Sequence, residues 1–273
     1  LYARYKDELS SDIRKRRMPA WFNRLQIIDS TTISLFSNLI FKGVGRHPKT
    51  EKKKGSIKVH TNIHANEFVP SDIKFTSAAT NGSFMLKPAN YNDGDIIAMD
   101  RAYIDYARFE ELTNRGVTYV TKMKKNLVYD TLSDTMYMLP CGLMECRVQV
   151  VEFRKHIKGG ENIKHKARIV TYVDPAKKKA KVISLLTNDM TMEVEDIIDI
   201  YRQRWEIELL LKQLKQKFPL KYFYGESANA IKIQIWVTLI ANLLLMVIKK
   251  RIKPSWSFSE NHAHVLCELL YFP

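Results

Sequence analysis

The sequence predicts an α/β protein in which a mixed sheet is flanked by helices. The N-terminal part reads as consecutive β-strands, and apolar strands then alternate with amphipathic helices up to residue 121. Between residues 122 and 182, short strands joined by turns at Gly-Gly and Asp-Pro indicate a β-rich insertion. With 273 residues, the chain is long enough for one large domain or two small ones.

The predicted elements follow the periodicity of the apolar residues. Residues 24–35 form an apolar, β-branched run that Asp29 interrupts, and residues 55–63 alternate as a strand should. Further strands are predicted at residues 67–78, 95–100, 117–121, 146–154, 166–173 and 182–186. Helices are predicted at residues 83–86 and 105–114.

The C-terminal third is predicted to contain two long helices. Asp189 or Thr191 is expected to cap the first, which contains Glu208. The second contains the apolar run 235–248, which two polar residues interrupt and which is too short to span a bilayer. This second helix is therefore predicted to be a buried core helix, and no membrane partner is expected.

The charge balance indicates a polyanionic partner. Lys and Arg number 44 against 29 Asp and Glu, so the formal net charge is +15 and the isoelectric point is about 9.6. Nucleic acid is the first candidate, and an anionic membrane surface is the second. Basic residues clearly outnumber acidic ones between residues 122 and 182, which favours a nucleic-acid contact surface there. The alternative is a solvated edge hairpin whose lysines prevent aggregation.

The cysteine pattern favours a reducing compartment. Cys141, Cys146 and Cys267 have no metal-ligand spacing and indicate neither a disulfide framework nor a zinc site. A reduced, cytoplasmic protein is therefore expected. The chain begins at Leu1 within a charged sequence typical of a helix, so further residues are expected to precede it.

The first of the two long helices carries an unusual set of polar side chains. Four of them fall within roughly 60° of each other on a helical projection: Tyr201, Arg204, Glu208 and Lys215. A carboxylate between cations and a phenol can bind a metal ion, and its basic neighbours can hold a phosphate beside it. The alternative is a solvated ion-pair face, in which each pair contributes only about 0.2–0.5 kcal/mol.

Two aspartates stand within or at the end of apolar strands. Asp29 interrupts the first predicted strand, and Asp100 ends the run 95–100. A carboxylate in such a position is costly to bury unless it is paired or binds a metal ion. Taken singly, Asp29 could be a turn or cap residue, Asp100 an N-cap and Glu208 a surface ion pair. Taken together, the three favour convergence on two divalent cations in a mixed sheet.

The three acidic positions lie in sequence blocks that resemble those of a known family. Asp29 is followed by Ser-Thr-Thr, Asp100 begins Asp-Arg-Ala-Tyr, and the helix reads Tyr-x2-Arg-x3-Glu-x6-Lys from Tyr201. These blocks resemble those of the DDE transposases of the bacterial insertion-sequence-4 type. The similarity covers residues 24–249, and the second block differs at Ala102, where many members have Gly.

The resemblance implies a ribonuclease-H-like catalytic core with the β-rich insertion placed before the Glu-bearing helix. Residues 1–121 and 183–253 would form the two parts of this core. Residues 122–182 would be the basic insertion, and residues 254–273 would be a C-terminal tail.

The resemblance also implies roles for individual residues. Asp29, Asp100 and Glu208 would form a metal-binding catalytic triad for Mg²⁺ or Mn²⁺, with two ions when DNA is bound. The residues implied to position DNA phosphates and support this triad are Arg101, Tyr103, Tyr201, Arg204 and Lys215. Within the insertion, Phe153 beside Arg154 is predicted to stack on a DNA base and contact the DNA.

The activity implied by the resemblance is strand cleavage at the ends of an insertion sequence and strand transfer to target DNA. The partners would be terminal inverted repeats and target DNA, with a dimer in the synaptic complex and association with the nucleoid when on DNA. Two alternatives remain. One is a metal-dependent DNA nuclease of the same fold that does not join strands, and the other is an inactive, truncated DNA-binding relic.

Overall fold

The computed structural model describes part of the chain and divides it into two compact units. The described residues are 18–34, 45–46, 55–66, 70–77, 80, 82–138, 145–155, 162–174, 181–217, 223–225 and 227–251. We name the units by content. The carboxylate unit comprises Ala20–Ser30 and Asn81–Glu208 and contains all three acidic residues singled out above. The hairpin unit comprises Leu1–Pro19, Thr31–Thr80 and Leu209–Pro273.

The described strands and helices follow the predicted order, and two further strands, at residues 45–46 and 130–138, were not predicted. The strands are β1 (Leu25–Ser34), β2 (Gly45–Arg46), β3 (Gly55–His64), β4 (Pro70–Ser77), β5 (Ile96–Met99), β6 (Thr118–Lys122), β7 (Asp130–Met138), β8 (Glu145–Lys155), β9 (Ile163–Asp174) and β10 (Lys181–Thr187). The helices are α1 (Tyr106–Asn114), α2 (Val194–Lys217) and α3 (Ala228–Arg251). Short 3-10 turns lie at Ala20–Arg24, Gly82–Met85, Pro88–Asn90 and Arg101–Tyr103.

The carboxylate unit is built on a mixed sheet. Its strands run in the order β1-β5-β6-β10-β9-β8-β7. Strands β1, β5 and β6 are parallel, and each later neighbour is antiparallel to the one before it. All four residues of β5 are buried, as expected for a parallel strand covered on both faces. The predicted α/β class with a mixed sheet flanked by helices is confirmed.

One apolar core joins the parallel strands to the antiparallel ones. Phe109 and Leu112 of α1 pack against this sheet, and the rings of Phe109 and Tyr119 stack with centroids 3.9 Å apart. Val151 of β8 and Ile169 of β9 belong to the same cluster. Helix α1 begins at an N-cap, because the Ala107 N–H donates to the Asp105 carboxylate at 3.2 Å. The β-rich segment therefore shares its core with the strands that carry Asp29 and Asp100.

Helix α2 starts later than predicted. The Asp189 carboxylate accepts hydrogen bonds from the Thr191 and Met192 N–H groups, which closes a turn before the helix. The helix itself begins at Val194, so the prediction that Asp189 or Thr191 caps it is wrong. Its first turn is fixed instead by Asp196, which accepts a hydrogen bond from the Trp21 indole at 2.8 Å.

The hairpin unit pairs an antiparallel strand hairpin with helix α3. Strands β3 and β4 pair over their length, and β2 adds to β3. A buried cluster in this unit contains Ile33, Ile57, Val59, Ile231 and Ile235. Helix α3 therefore buries one face against strand residues of this unit.

Helix α3 is longer than the predicted apolar run. Its segment Ala228–Ile248 has 21 residues and a mean hydropathy of 2.1, which by length and composition alone would suffice to cross a membrane. The run 235–248 is therefore the C-terminal part of a longer apolar segment, because the helix begins well before Ile235. About 33% of the apolar window is buried within the protein, including the polar residues Thr238 and Asn242.

Candidate active site

The sheet places Asp29 and Asp100 side by side. Ile28 of β1 pairs with Met99 of β5 in a parallel register, and each aspartate directly follows one of these two residues. Neighbouring strands lie about 4.8 Å apart, so the two aspartates lie side by side, with Asp29 inside β1 and Asp100 directly after the last residue of β5. Asp29 is only 8% exposed, which agrees with its position inside an apolar strand.

The backbone fixes both aspartate side chains. Asp29 accepts a hydrogen bond from the Ser30 N–H at 2.7 Å, and Asp100 accepts one from the Arg101 N–H at 2.8 Å. Asp100 thereby caps the 3-10 turn Arg101–Tyr103, so it has the N-cap role considered above as well as its place beside Asp29. Each carboxylate accepts a hydrogen bond from the backbone N–H of the residue that follows it.

Helix α2 brings Arg204 and Glu208 to the same site. The Arg204 Nη1 atom lies 2.6 Å from Glu208 Oε1 and 3.5 Å from Asp29 Oδ2. Arg204 is 7% exposed, and its guanidinium carbon lies 5.3 Å from the centroid of the Tyr201 ring. In a solvated ion-pair face both partners would be exposed, whereas here the arginine is buried between two carboxylates.

The pKa of Asp29 depends on its burial and on the charges around it. Burial raises the pKa of Asp29 from 3.8 to about 6, against the opposing effect of Arg204. Glu208 and Asp100 also raise this pKa, since each adds negative charge nearby. The pKa of Arg204 is raised despite its burial, because Tyr201 and the two carboxylates favour its charged form. The site therefore combines mutually repelling acids with one permanent cation.

Tyr103 is a buried residue that is linked to Asp29 through the neighbouring Ser30. Its side chain is 1% exposed, it shares a hydrogen bond with Ser30, and burial raises the pKa of its phenol. The ring rests against Gly82, where a Cβ atom would come within 2.9 Å of Tyr103 Cε1. The prediction that Tyr103 contacts DNA is wrong, because the phenol is enclosed by protein. No role was predicted for Ser30 or Gly82, although Ser30 directly follows Asp29.

The other predicted DNA contacts differ in their accessibility. Arg101 is exposed at the start of its 3-10 turn, and Tyr201 is half-buried beside Arg204. Lys215 lies in helix α2, but its side chain is outside the part of the chain that the structure describes. Arg101 is therefore free to meet a phosphate from solvent, whereas Arg204 is already engaged with carboxylates.

Phe153 is a core residue, so the prediction that it stacks on a DNA base is wrong. It is 1% exposed, and its ring stacks on Tyr106 at 4.8 Å and meets Tyr129 edge-on at 5.5 Å. The alternation along β8 places Val151 and Phe153 on one buried face, and this signal was available in the sequence. The adjacent Arg154 is exposed and pairs with Asp130 at 3.3 Å and Glu152 at 2.8 Å.

The site differs in one respect from a ready metal centre. Among the described residues, no three His, Cys, Asp or Glu side chains lie close enough to hold one ion. The Arg204 guanidinium lies between Glu208 and Asp29 and supplies positive charge there. The donors themselves are hard carboxylate oxygens, the ligand type that suits Mg²⁺ or Mn²⁺.

Comparison with known proteins places this geometry in context. The family described as "Transposase DDE domain" matches residues 20–244, a span that contains all three carboxylates. The "Putative transposase for insertion sequence element IS4SA" of Synechocystis sp. is 28% identical over 226 residues, covering 81% of this chain and 59% of the relative. The "Putative transposase y4zB" of Sinorhizobium fredii is 25% identical over 226 residues, covering 82% and 60% respectively. The chain thus spans about 60% of the length of these relatives.

Proposed function

The chain belongs to the transposase DDE domain family, and on that premise we propose that it cleaves DNA strands at the ends of an insertion sequence and transfers them to target DNA. The observation that carries this proposal is the adjacency of Asp29, inside β1, and Asp100, directly after the parallel strand β5, with Arg204 contacting both Asp29 and Glu208. The spacing of the helical block supports membership of the insertion-sequence-4 type in particular.

The proposed ligands for divalent cations are Asp29, Asp100 and Glu208. Their oxygens fit Mg²⁺ or Mn²⁺, with two ions when DNA is bound. Such ions supply activation of an attacking water or 3′-hydroxyl and stabilisation of the negative charge on the leaving oxygen. The backbone N–H groups of Ser30 and Arg101 would hold the two aspartates in place during the reaction.

The proposed DNA contacts are cationic residues of the Asp100 and Glu208 sequence blocks. Arg101 is exposed next to Asp100, and Arg204 and Lys215 lie on the helix that carries Glu208. The guanidinium of an arginine can bind a phosphate through two parallel hydrogen bonds. The formal net charge of +15 and the basic segment 122–182 favour further contacts with DNA.

The proposed partners are the terminal inverted repeats of the element and its target DNA. Joining two element ends to one target requires two active sites, so we propose a dimer in the synaptic complex. Because the relatives are bacterial, the proposed setting is the cytoplasm, on nucleoid DNA.

The test is incubation of the full chain with Mg²⁺ and duplexes that carry the native element ends, scoring both nicked and joined products. Cleavage and joining are expected, and Glu208→Gln should reduce cleavage by at least about 10³-fold. Glu111→Gln on the exposed face of α1 is the matched control and should leave both products unchanged.

The products also separate the alternatives. Cleavage without joining would identify a nuclease of the same fold. DNA binding without either product would identify an inactive relic. Unreduced cleavage by Glu208→Gln would contradict the proposed role of this carboxylate.

A further inference from the structure

Arg204 occupies the position between the proposed metal ligands. A single nitrogen, Nη1, lies 2.6 Å from Glu208 Oε1 and 3.5 Å from Asp29 Oδ2. Both acids would have to turn oxygen lone pairs toward a metal ion. A guanidinium in hydrogen-bond contact with the same oxygens competes for these lone pairs and repels a divalent cation. The arginine and a fully coordinated ion therefore exclude one another.

The buried arginine is incompletely satisfied where it lies. Its Nε atom is buried and has no hydrogen-bond partner in the described part of the chain. An unpaired buried donor is unfavourable, because burial removes it from water without supplying another hydrogen bond. The Nε edge of a guanidinium is one of the edges that binds a phosphate with two parallel hydrogen bonds. An anion that accepts a hydrogen bond from Nε would therefore favour movement of Arg204 away from its present partners.

Helix α2 provides the means for such a movement. Tyr201 contacts one face of the guanidinium, with 5.3 Å between the Arg204 Cζ atom and the ring centroid. Glu208 is more accessible than its partner, with 38% of its side chain exposed against 8% for Arg204. A rotation of the arginine side chain along the Tyr201 ring would free the Glu208 carboxylate without any change in the backbone.

We propose that Arg204 blocks the metal site in the DNA-free protein and swings onto a DNA phosphate when substrate binds. Metal loading then depends on DNA, and the carboxylates stay neutralised by Arg204 until substrate arrives. This inference rests on the proposed function, because it takes Asp29, Asp100 and Glu208 as the metal ligands.

The test measures Mn²⁺ binding to the DNA-free full chain by electron paramagnetic resonance of the free ion. Arg204→Gln should bind Mn²⁺ on the order of tenfold more tightly than the native chain, since a repelling charge is removed. Arg204→Lys retains the charge and should stay within about twofold of the native chain. The matched control is Arg202→Gln, which removes an exposed arginine paired with Asp199 at 3.1 Å and should change nothing.

A second arm adds a duplex that carries the element end. DNA should tighten Mn²⁺ binding by the native chain on the order of tenfold, and it should tighten binding by Arg204→Gln much less. Circular dichroism confirms that each variant is folded. Native-like or weaker Mn²⁺ binding by folded Arg204→Gln, or equal tightening by DNA in both proteins, would overturn the proposed block.

Glu208→Gln and Asp29→Asn separate this inference from the function on which it rests. If neither substitution weakens Mn²⁺ binding to the DNA-bound chain, the proposed metal site itself is wrong. If both weaken it while Arg204→Gln has no effect, the metal site stands and only the role of Arg204 is refuted.

Discussion

The two sides of the candidate active site are held in different ways. On the strand side, Asp29 and Asp100 are fixed by strand register and by the N–H groups of the residues that follow them. On the helix side, Glu208 is held by a side-chain ion pair with Arg204. Backbone contacts persist as long as the sheet persists, whereas an ion pair can be exchanged for another. The strand side therefore provides a rigid base, and the helix side provides the part that can rearrange.

The largest expected effect follows from removing one charge on the rigid side. Asparagine caps a helical turn as well as aspartate does, so Asp100→Asn should keep the hydrogen bond from Arg101 and the native stability. Strand cleavage should nevertheless fall by at least about 10³-fold, because a proposed metal ligand loses its charge. A cleavage assay and a thermal unfolding curve check this together. Native-like cleavage by the variant would mean that Asp100 only caps the turn.

The ionised carboxylate of Asp29 is expected to lower the stability of the folded protein. Its folded pKa of about 6 lies above the ordinary value of 3.8, so folding favours the protonated acid. The associated stabilisation is complete below pH 3.8 and is lost as the pH rises through about 6.

Asp29→Asn should therefore be more stable than the native chain at pH 8, by about 1–3 kcal/mol, and equal to it near pH 4. Urea unfolding in the presence of a metal chelator measures this difference. A variant that is less stable at pH 8 would show that pairing with Arg204 outweighs the burial of the carboxylate.

Gly82→Ala tests how tightly the Tyr103 ring is packed against Gly82. The added Cβ would lie 2.9 Å from the Tyr103 ring, which should lower the free energy of unfolding by about 1–3 kcal/mol. In a Tyr103→Leu background the same substitution should cost less, because the ring that it meets is gone. Equal costs in the two backgrounds would place the strain elsewhere.

The smallest expected effect lies at the start of the helix side. Trp21→Phe keeps an aromatic ring but removes the N–H that donates a hydrogen bond to Asp196. The free energy of unfolding should therefore fall by about 1 kcal/mol. Adding Asp196→Asn should then change little further, since the bond is already lost. Additive losses from the two substitutions would show that they act independently.

Much of the strand side could be predicted from sequence. The run that became β1 is apolar on both sides of Asp29, and the run that became β5 is followed directly by Asp100. Pairing of the two strands can bring these positions together. Helical periodicity likewise placed Arg204 and Glu208 on one face of α2. Periodicity fixes the direction of a side chain from its helix but not its rotamer or partner. The contact of Arg204 with Asp29 therefore emerged only from the three-dimensional structure.

The errors have similar physical causes. Phe153 was assigned to the surface because its neighbour Arg154 is charged, although its alternation with Val151 indicates the buried face of β8. Aspartate is a common helix N-cap, but Asp189 closes a turn just before the helix. Which of several adjacent polar residues begins a helix depends on tertiary contacts, such as the bond between Trp21 and Asp196.

The central claim is that the two fixed aspartates and the movable glutamate form one metal site. The most direct measurement is the anomalous diffraction signal of Mn²⁺ in crystals of the full chain bound to an uncleaved element end. The signal should lie within about 2.3 Å of oxygens from Asp29 and Asp100, with Glu208 turned toward it and Arg204 on a phosphate. A Mn²⁺ signal away from both aspartates, with Arg204 still between Asp29 and Glu208, would contradict the account.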